Sequence, residues 1–560
     1  MQLRSGGFLM AAVAISEDKA VWRDLAPGVR IPAAAWDTTT EKVLSGEAIE
    51  VVAALHRALE TERQTLLAHR ETRQAAWDTG QLPTYCDNGH PATHSNGWKV
   101  APIPADLTRR RVEITGPVNN TKMVINMLSR NADGDRADTA MLDFEDSMKP
   151  SWRNVIDGVV NVIGIANGDL TFVKKGKGDQ ADTVYEINTT DMAHPMVRVR
   201  GLHLDEANLE IDGTPVAGGL LDLALVLFHT GKRFVEQSTT PTFYVPKVEH
   251  YLEARWWNQL FTLAQKAVGL EVGTLRATFL IETLPAAFQM EEILWEIREH
   301  AAGLNVGRWD KIFSDIKVLK AHPDRVMADR ASIGLNRPWM RNYARRLINV
   351  CHRRGAFAIG GMAAFTPGRT PERRAEQTAK VREDKELEAS LGHDGCWVSH
   401  PYFIGVALAA FTQDNQIDVI DESLGEYPDL LPHATPPHTL AGLRTNVRVG
   451  IAYLRGWNAD IGCVAWDDLM EDLATLEISR AQTWQWLHNA VTVSDGDDSI
   501  VVDKTLLRRV FQEELERILD ETGATGEDRA SWLRAADDAE SVFVQDDFAP
   551  FLTRTSELVG

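Results

Sequence analysis

The chain has 560 residues, 44% apolar and 25% charged, which excludes a disordered polymer and fits a soluble globular protein. Its 80 acidic and 59 basic residues leave a net charge of −21, which argues against a broad nucleic-acid-binding face while leaving room for a local basic pocket. The length exceeds one ordinary core and calls for a barrel-sized domain with one or two smaller companions.

Residues 8–15, FLMAAVAI, are apolar for too few positions to span a bilayer. Arg4 gives them the outline of a signal peptide, but Glu17 and Asp18 follow without a convincing processing site. The final SELVG is not a peroxisomal SKL-type ending. Cys86, Cys351, Cys396 and Cys463 are widely spaced and form no CxxC pair, as expected of a reduced, cytoplasmic protein with no membrane partner.

Residues 40–80 carry apolar positions at three- and four-residue spacing and predict a long helix. Eight short apolar or β-branched runs follow: 112–116, 140–145, 196–200, 242–246, 276–282, 303–307, 357–361 and 396–400. Amphipathic stretches such as HYLEARWWNQLFTLAQKAV and NRPWMRNYARRLINVCHRRG separate most of them. Strands alternating with helices predict parallel pairing, and eight of them suggest a (β/α)₈ barrel, with an open doubly wound sheet as the alternative. The stretch 147–195 holds a predicted helix and then a hairpin, an insertion on the barrel. Beyond residue 405 the spacing turns helical throughout. The expected α/β organisation is an N-terminal helical clasp (1–108), a barrel (109–404) and a C-terminal helical domain (405–560).

Catalytic groups of such barrels sit where the strands end. Here those positions carry Asp143, Glu145 and Asp146 in DFED, Arg198 and Arg200 in RVR, Glu282, and Asp310 in GLNVGRWD. Singly, each acid is as well explained as a helix cap and each arginine as an ion-pair partner. Together at one mouth they would repel one another unless a cation sat among them. Hard oxygen donors without His or Cys favour Mg²⁺ over Zn²⁺. Weaker signals are TRRRVE (108–113), read as ion pairs; GHDG (392–395), a weak metal candidate; GGM (360–362), a candidate for close approach of a ligand to bare backbone; and WQW (484–486), read as helix packing. No phosphate loop, dinucleotide fingerprint or nucleophile elbow is present.

The segments DFEDSMKPSWRNVIDG, RVRGLHL, FYVPKVEHYLEARWWN, ATFLIETLPAAFQMEEIL, GLNVGRWDKIFSDIK, CHRRGAFAIGGMAAF and MEDLATLEISRAQTWQW, in this order, resemble the malate synthases of the shorter A type. The resemblance implies a TIM barrel with a helical clasp and a C-terminal helical plug. It implies an acyltransferase that condenses acetyl-CoA with glyoxylate and hydrolyses the thioester to malate and CoA, with Mg²⁺ as cofactor. By position it implies Glu282 and Asp310 as metal ligands, Arg198 as catalytic arginine and Asp472 as general base. It implies Asp143 and Glu145 as holders of metal-bound water. It implies the backbone of Gly307, Arg308, Trp309 and Asp310 as the glyoxylate cradle. Cys396 stands where the family carries Thr, and SHPYF where it continues AHPG; both departures are expected on the CoA side of the site. Cys463 lies nine residues before Asp472 and is read as a buried thiol near the site. A related malyl-CoA lyase and a non-catalytic CoA-thioester-binding protein are the alternative readings. The sequence does not decide between monomer and homo-oligomer.

Overall fold

The computed structural model describes residues 21–86, 89–95, 97–178 and 180–558. The apolar run 8–15 lies outside the described residues. The eight barrel strands are β1 (Val112–Pro117), β2 (Thr139–Asp143), β3 (His194–Arg198), β4 (Thr242–Val245), β5 (Arg276–Ile281), β6 (Ala301–Val306), β7 (Phe357–Ala363) and β8 (Gly395–Val398). Each pairs parallel with its neighbours, and β8 closes on β1 through Cys396 opposite Val112 and Trp397 opposite Glu113. The eight predicted runs are these eight strands, and closure removes the open-sheet alternative. A strand such as β5, RATFLI, is buried at every position because side chains fill the barrel on one face and helices cover the other. The interior is small: Met141, Met196, Tyr244, Leu280, Phe357, Ile359 and Trp397 plug it.

Between β2 and β3 lie the predicted helix, Trp152–Asn167, capped by Ser151, and then the hairpin Thr171–Lys174 with Thr183–Glu186. The long helix spans Gly46–Asp78 and buries Ile49, Val52, Leu55 and Leu59. Strands occur where helical spacing alone gave no signal. Trp22–Ala26 and Val29–Pro32 form one sheet with Asp205–Ile211 and Thr214–Ala217, tying the N-terminal segment to the excursion after β3. These strands are four to seven residues long and partly exposed, so their alternation is weak.

Helices Leu440–Asn458, Leu473–His488, Lys504–Thr522 and Gly526–Phe543 share a second core around Leu443, Val447, Trp486, Phe511 and Phe543. A two-stranded ribbon, Val464–Trp466 with Leu469–Glu471, precedes the second of these helices. Met470 N donates to Ala364 O at 2.7 Å, so the ribbon docks directly beyond the end of β7. Among the described residues no helix is long and apolar enough to cross a membrane.

Candidate active site

The strand ends and the ribbon enclose one cavity. Its walls include Asp143, Asp146, Arg198, Glu282, Gly307, Trp309, Asp310, Cys463 and Asp472. The chain thus brings Asp472, 162 positions after Asp310, to the same space as the barrel's acids. Glu145 joins them through shared cations just behind the cavity wall.

Arg198 ends β3, and its Nε and Nη2 donate to both oxygens of Asp143 at 2.7 and 2.6 Å. Asp143 is locked further by Ser147, which donates from backbone and hydroxyl. This bidentate grip fixes the guanidinium plane and leaves Nη1 to Asp146, 3.2 Å away. Arg198 lies over the Trp397 ring, 5.7 Å from its centroid. Asp143 is accordingly held below the usual carboxylate range despite burial.

Lys247, immediately after β4, is the second cation and was missed in the strand-end reading. Its Nζ reaches Asp146 at 2.8 Å, Glu145 at 3.1 Å and Asp310 at 3.2 Å. Its φ of 52° is left-handed, a conformation costing a non-glycine residue roughly 1–2 kcal/mol. That turn aims its backbone N–H at Glu282 Oε1, 2.7 Å away. The strand-end rule that found Arg198 applied equally to Lys247 in FYVPKVEH.

Glu282 follows β5 directly, and Asp310 sits in the first turn of helix Arg308–Val318 after β6. Glu282 Oε2, Asp310 Oδ1 and Glu145 Oε1 are buried without a hydrogen-bond partner. Burial raises the pKa of all three. Asp310 adds to the rise at Glu282, and Asp146 to the rises at Glu145 and Asp310, the last to about 6. Six carboxylates here face two cations, and burial with mutual repulsion keeps protons on several of them until another cation offsets their charge. Among the described residues, no three His, Cys, Asp or Glu side chains already form a metal cage. The open Glu282 Oε2, with Asp310 Oδ1 held only by the Lys247 ammonium, fits a hard cation completed by water and substrate oxygens.

No side chain caps helix Arg308–Val318, and its first internal bond is Lys311 N to Gly307 O. The N–H groups of Arg308, Trp309 and Asp310 are therefore unused at the positive end of the helix, an anion cradle. Gly307 has an unexpected reason. A Cβ there would stand 2.5 Å from Glu282 Cβ and 2.6 Å from its Oε2, so glycine makes room for the carboxylate rather than for the amides. Its φ of −96° needs no glycine. The Arg308 side chain turns away to Asp384, 2.8 Å from Nη1, so only its backbone faces the cradle.

Asp472 is the N-cap of helix Leu473–His488. Thr475 N donates to its side chain at 3.2 Å, and Asp472 N donates back to Thr475 Oγ1 at 2.9 Å. This reciprocal box holds the carboxylate at the cavity wall. Burial, helped by Asp146 and Asp310, pushes its pKa up to about 8.

Several expected contacts are absent. Arg200 pairs with Asp222 and Glu206 away from the cavity. Cys396 is fully buried in the layer between barrel and helices, and Ser399, not Cys396, lines the cavity. The glycines of GGM accommodate protein rather than ligand: Gly361 N donates to Glu388, and a Cβ on Gly361 would meet Arg308 Nε at 2.9 Å. In GHDG, Asp394 binds His352 and Ala358 N, and His393 is buried, so no metal site forms there. Of TRRRVE, Arg109 and Arg111 pair with Asp138, whereas Arg110 is buried in the barrel on Glu113. Trp486 packs as expected, donating to Met327 O.

Three family profiles match the chain: "Malate synthase, N-terminal domain" over 28–87, "Malate synthase, TIM barrel domain" over 195–425 and "Malate synthase, C-terminal" over 437–557. Malate synthase A of Escherichia coli K12 is 41% identical over 523 residues, covering 92% of this chain and 95% of that protein. Malate synthase of Myxococcus xanthus is 43% identical, covering 92% and 94%. That of Arabidopsis thaliana is 42% identical, covering 87% of each. With similarity of this extent on a closed barrel, the chain belongs to the malate synthases, acyltransferases that condense acetyl-CoA with glyoxylate to give malate and CoA.

Proposed function

We propose that the barrel mouth performs this condensation with Mg²⁺ bound by Glu282 and Asp310, Asp472 as general base and Arg198 as the stabiliser of the enolate oxygen. The observation that carries the reading is the buried, unpartnered Glu282 Oε2 close to Asp310, whose Oδ1 meets only Lys247, beside an uncapped helix N-terminus. Held by Glu282 and Asp310, Mg²⁺ would displace the protons on these acids and would supply Lewis acidity toward the glyoxylate aldehyde. The free N–H groups of Arg308 to Asp310 receive the glyoxylate carboxylate.

Asp472 takes a proton from the acetyl methyl group, and charge develops on the thioester oxygen. A carboxylate is too weak a base for that carbon acid unless the oxygen is stabilised; base catalysis alone supplies about 10²–10⁴-fold. Arg198 supplies the stabilisation from a plane already fixed by Asp143, so no reorganisation accompanies the step. The methyl carbon then bonds to the aldehyde carbon. Water attacks the thioester, breaking the C–S bond and releasing CoA as thiol. Glu145, with one oxygen open, would hold water at the cation, whereas Asp143, filled by Arg198, Ser147 and the Glu145 N–H, would act by fixing Arg198; Lys247 balances the charge of Glu145. In this assignment the barrel (109–404) holds metal and glyoxylate, and the helical part (405–560) brings the base. Cys351, Cys396 and Cys463, which form no disulfide, fit a cytoplasmic setting.

Purified protein, Mg²⁺, acetyl-CoA and glyoxylate should release thiol only when both substrates are present. Thiol release unaffected by chelating the metal would remove Glu282 and Asp310 from their proposed role.

A further inference from the structure

The connection 319–337 between helices Arg308–Val318 and Pro338–Arg354 leaves the barrel and threads the C-terminal helices. Three side chains of helix Leu473–His488 grip its backbone: Gln482 Nε2 donates to Ala328 O, Trp486 Nε1 donates to Met327 O, and Gln485 Oε1 accepts from Met327 N. Asp329 caps helix Leu440–Asn458 through Thr439. Arg330 does something different. It is 5% exposed. Its Nη2 donates to Glu471 Oε1 at 2.7 Å, and its Nη1 to Glu471 Oε2 at 3.3 Å, Thr475 O at 3.4 Å and Ser479 Oγ at 3.3 Å. Glu471 immediately precedes Asp472, and Thr475 closes the box on it. The other side of the guanidinium meets Trp309, 6.0 Å from the ring centroid, and Trp309 lines the cavity beside Asp310.

We infer that Arg330 is a positioning residue for proton abstraction: it holds the loop and cap that aim Asp472 while resting on the wall of the glyoxylate cradle. The inference rests on the reading of Asp472 as base. Its logic is geometric. The base and the cradle belong to chain segments 162 positions apart, and only a rigid link fixes one against the other to the fraction of an ångström that proton transfer needs. A forked guanidinium can grip Glu471 with two nitrogens, bond Thr475 and Ser479, and lie against an indole at once. An ammonium on a flexible stem cannot. This gives Trp309 a role beyond packing.

The test compares Arg330→Ala, Arg330→Lys and Glu471→Gln with Gln482→Ala, which loosens the same connection without touching Glu471 or Thr475. Thiol release is measured with acetyl-CoA and with methyl-deuterated acetyl-CoA, alongside thermal melting. Arg330→Ala should lower kcat about 10- to 100-fold, the scale of a misplacement near 1 Å. KM for both substrates should change little, and the deuterium effect should rise as proton removal becomes slower. Arg330→Lys should recover melting temperature but only part of kcat. Gln482→Ala should lower the melting temperature with kcat kept. Where Arg330→Ala does not fold, the nearly isosteric Glu471→Gln carries the same expectation. Unchanged kcat and isotope effect would overturn the inference, as would KM rising in step with the loss, or an equal loss in Gln482→Ala. Wild-type protein that releases no thiol breaks the base assignment itself. An active wild type with indifferent Arg330 variants breaks only this inference.

Discussion

The barrel contains two buried polar clusters, one toward each end, and they are built on opposite terms. Toward the N-terminal ends of the strands, Glu113 receives Arg110 on one oxygen and Tyr244 and Trp397 on the other. Arg110 also donates to Tyr244. One acid meets one base, and both oxygens of the acid are filled. At the mouth, six acids meet two bases, and Glu145 and Glu282 each keep an unpartnered oxygen. Trp397 lies between the clusters, bonding Glu113 with its N–H and facing Arg198 with its ring. A closed cluster specifies structure; an open one is left for something the chain does not supply.

The comparison breaks most easily at Asp472. Asp472→Asn keeps the shape and much of the cap but removes the base. Turnover should fall by about 10²–10⁴-fold, while glyoxylate binding, measured by calorimetry with Mg²⁺, should persist. Loss of both would place Asp472 among the binding groups instead. The contrasting change is Glu113→Ala. It leaves Arg110 charged and buried without its acid, which costs about 3–5 kcal/mol. Denaturant unfolding should show that loss, with the folded fraction turning over normally. A large turnover defect at unchanged stability would erase the distinction between the clusters.

Stability against pH sharpens the contrast further. Glu282, Asp310 and Asp472 bind protons more tightly in the fold than carboxylates do in the unfolded chain. Between roughly pH 4, the unfolded value, and about 8, the folded value of Asp472, the native state holds the extra protons. The slope of unfolding free energy with pH is therefore negative, and these groups make the metal-free protein less stable as pH rises. Mg²⁺ favours the ionised acids and should reverse the trend, adding about 2.7 kcal/mol at a hundredfold excess over its Kd. Glu282→Gln should melt higher than wild type at pH 8 without metal, and gain little when Mg²⁺ is added. Metal-independent melting of the wild type would contradict the open cluster.

How much of this was legible depended on periodicity. All eight barrel strands could be read because burial on both faces makes continuous apolar runs, and the acids at their ends followed from where strands stop. The short exposed strands at 22–32 and 205–217 gave no such signal. Lys247 was overlooked because a lysine after a strand looks like surface, and only its left-handed turn points it inward. The constraint that makes residue 307 a glycine, the Glu282 side chain, comes from the neighbouring strand, which adjacency along the chain does not reveal. Arg330 lay beyond reach for the same reason: nothing in HPDRVMADRAS indicates that it meets Glu471.

The smallest expected effect tests the electric field of the open cluster. Cys463 lines the cavity half-buried, and its thiol is pushed up to about 12 by burial and by Asp472 and Asp143. The reactive species is the thiolate. Cys463 should therefore alkylate slowly with iodoacetamide despite its access to the cavity, and Cys463→Ser should leave turnover close to wild type. Above pH 8 Asp472 is ionised and adds to the barrier against a second negative charge. Asp472→Asn removes that charge, so alkylation of Cys463, followed by peptide mass at pH 9, should quicken severalfold. The same change at Glu113 should leave the rate alone, because that acid is already neutralised by Arg110. Equal rates in Asp472→Asn and wild type would mean that the carboxylate does not share the cavity with the thiol, and the open cluster would lose its sixth member.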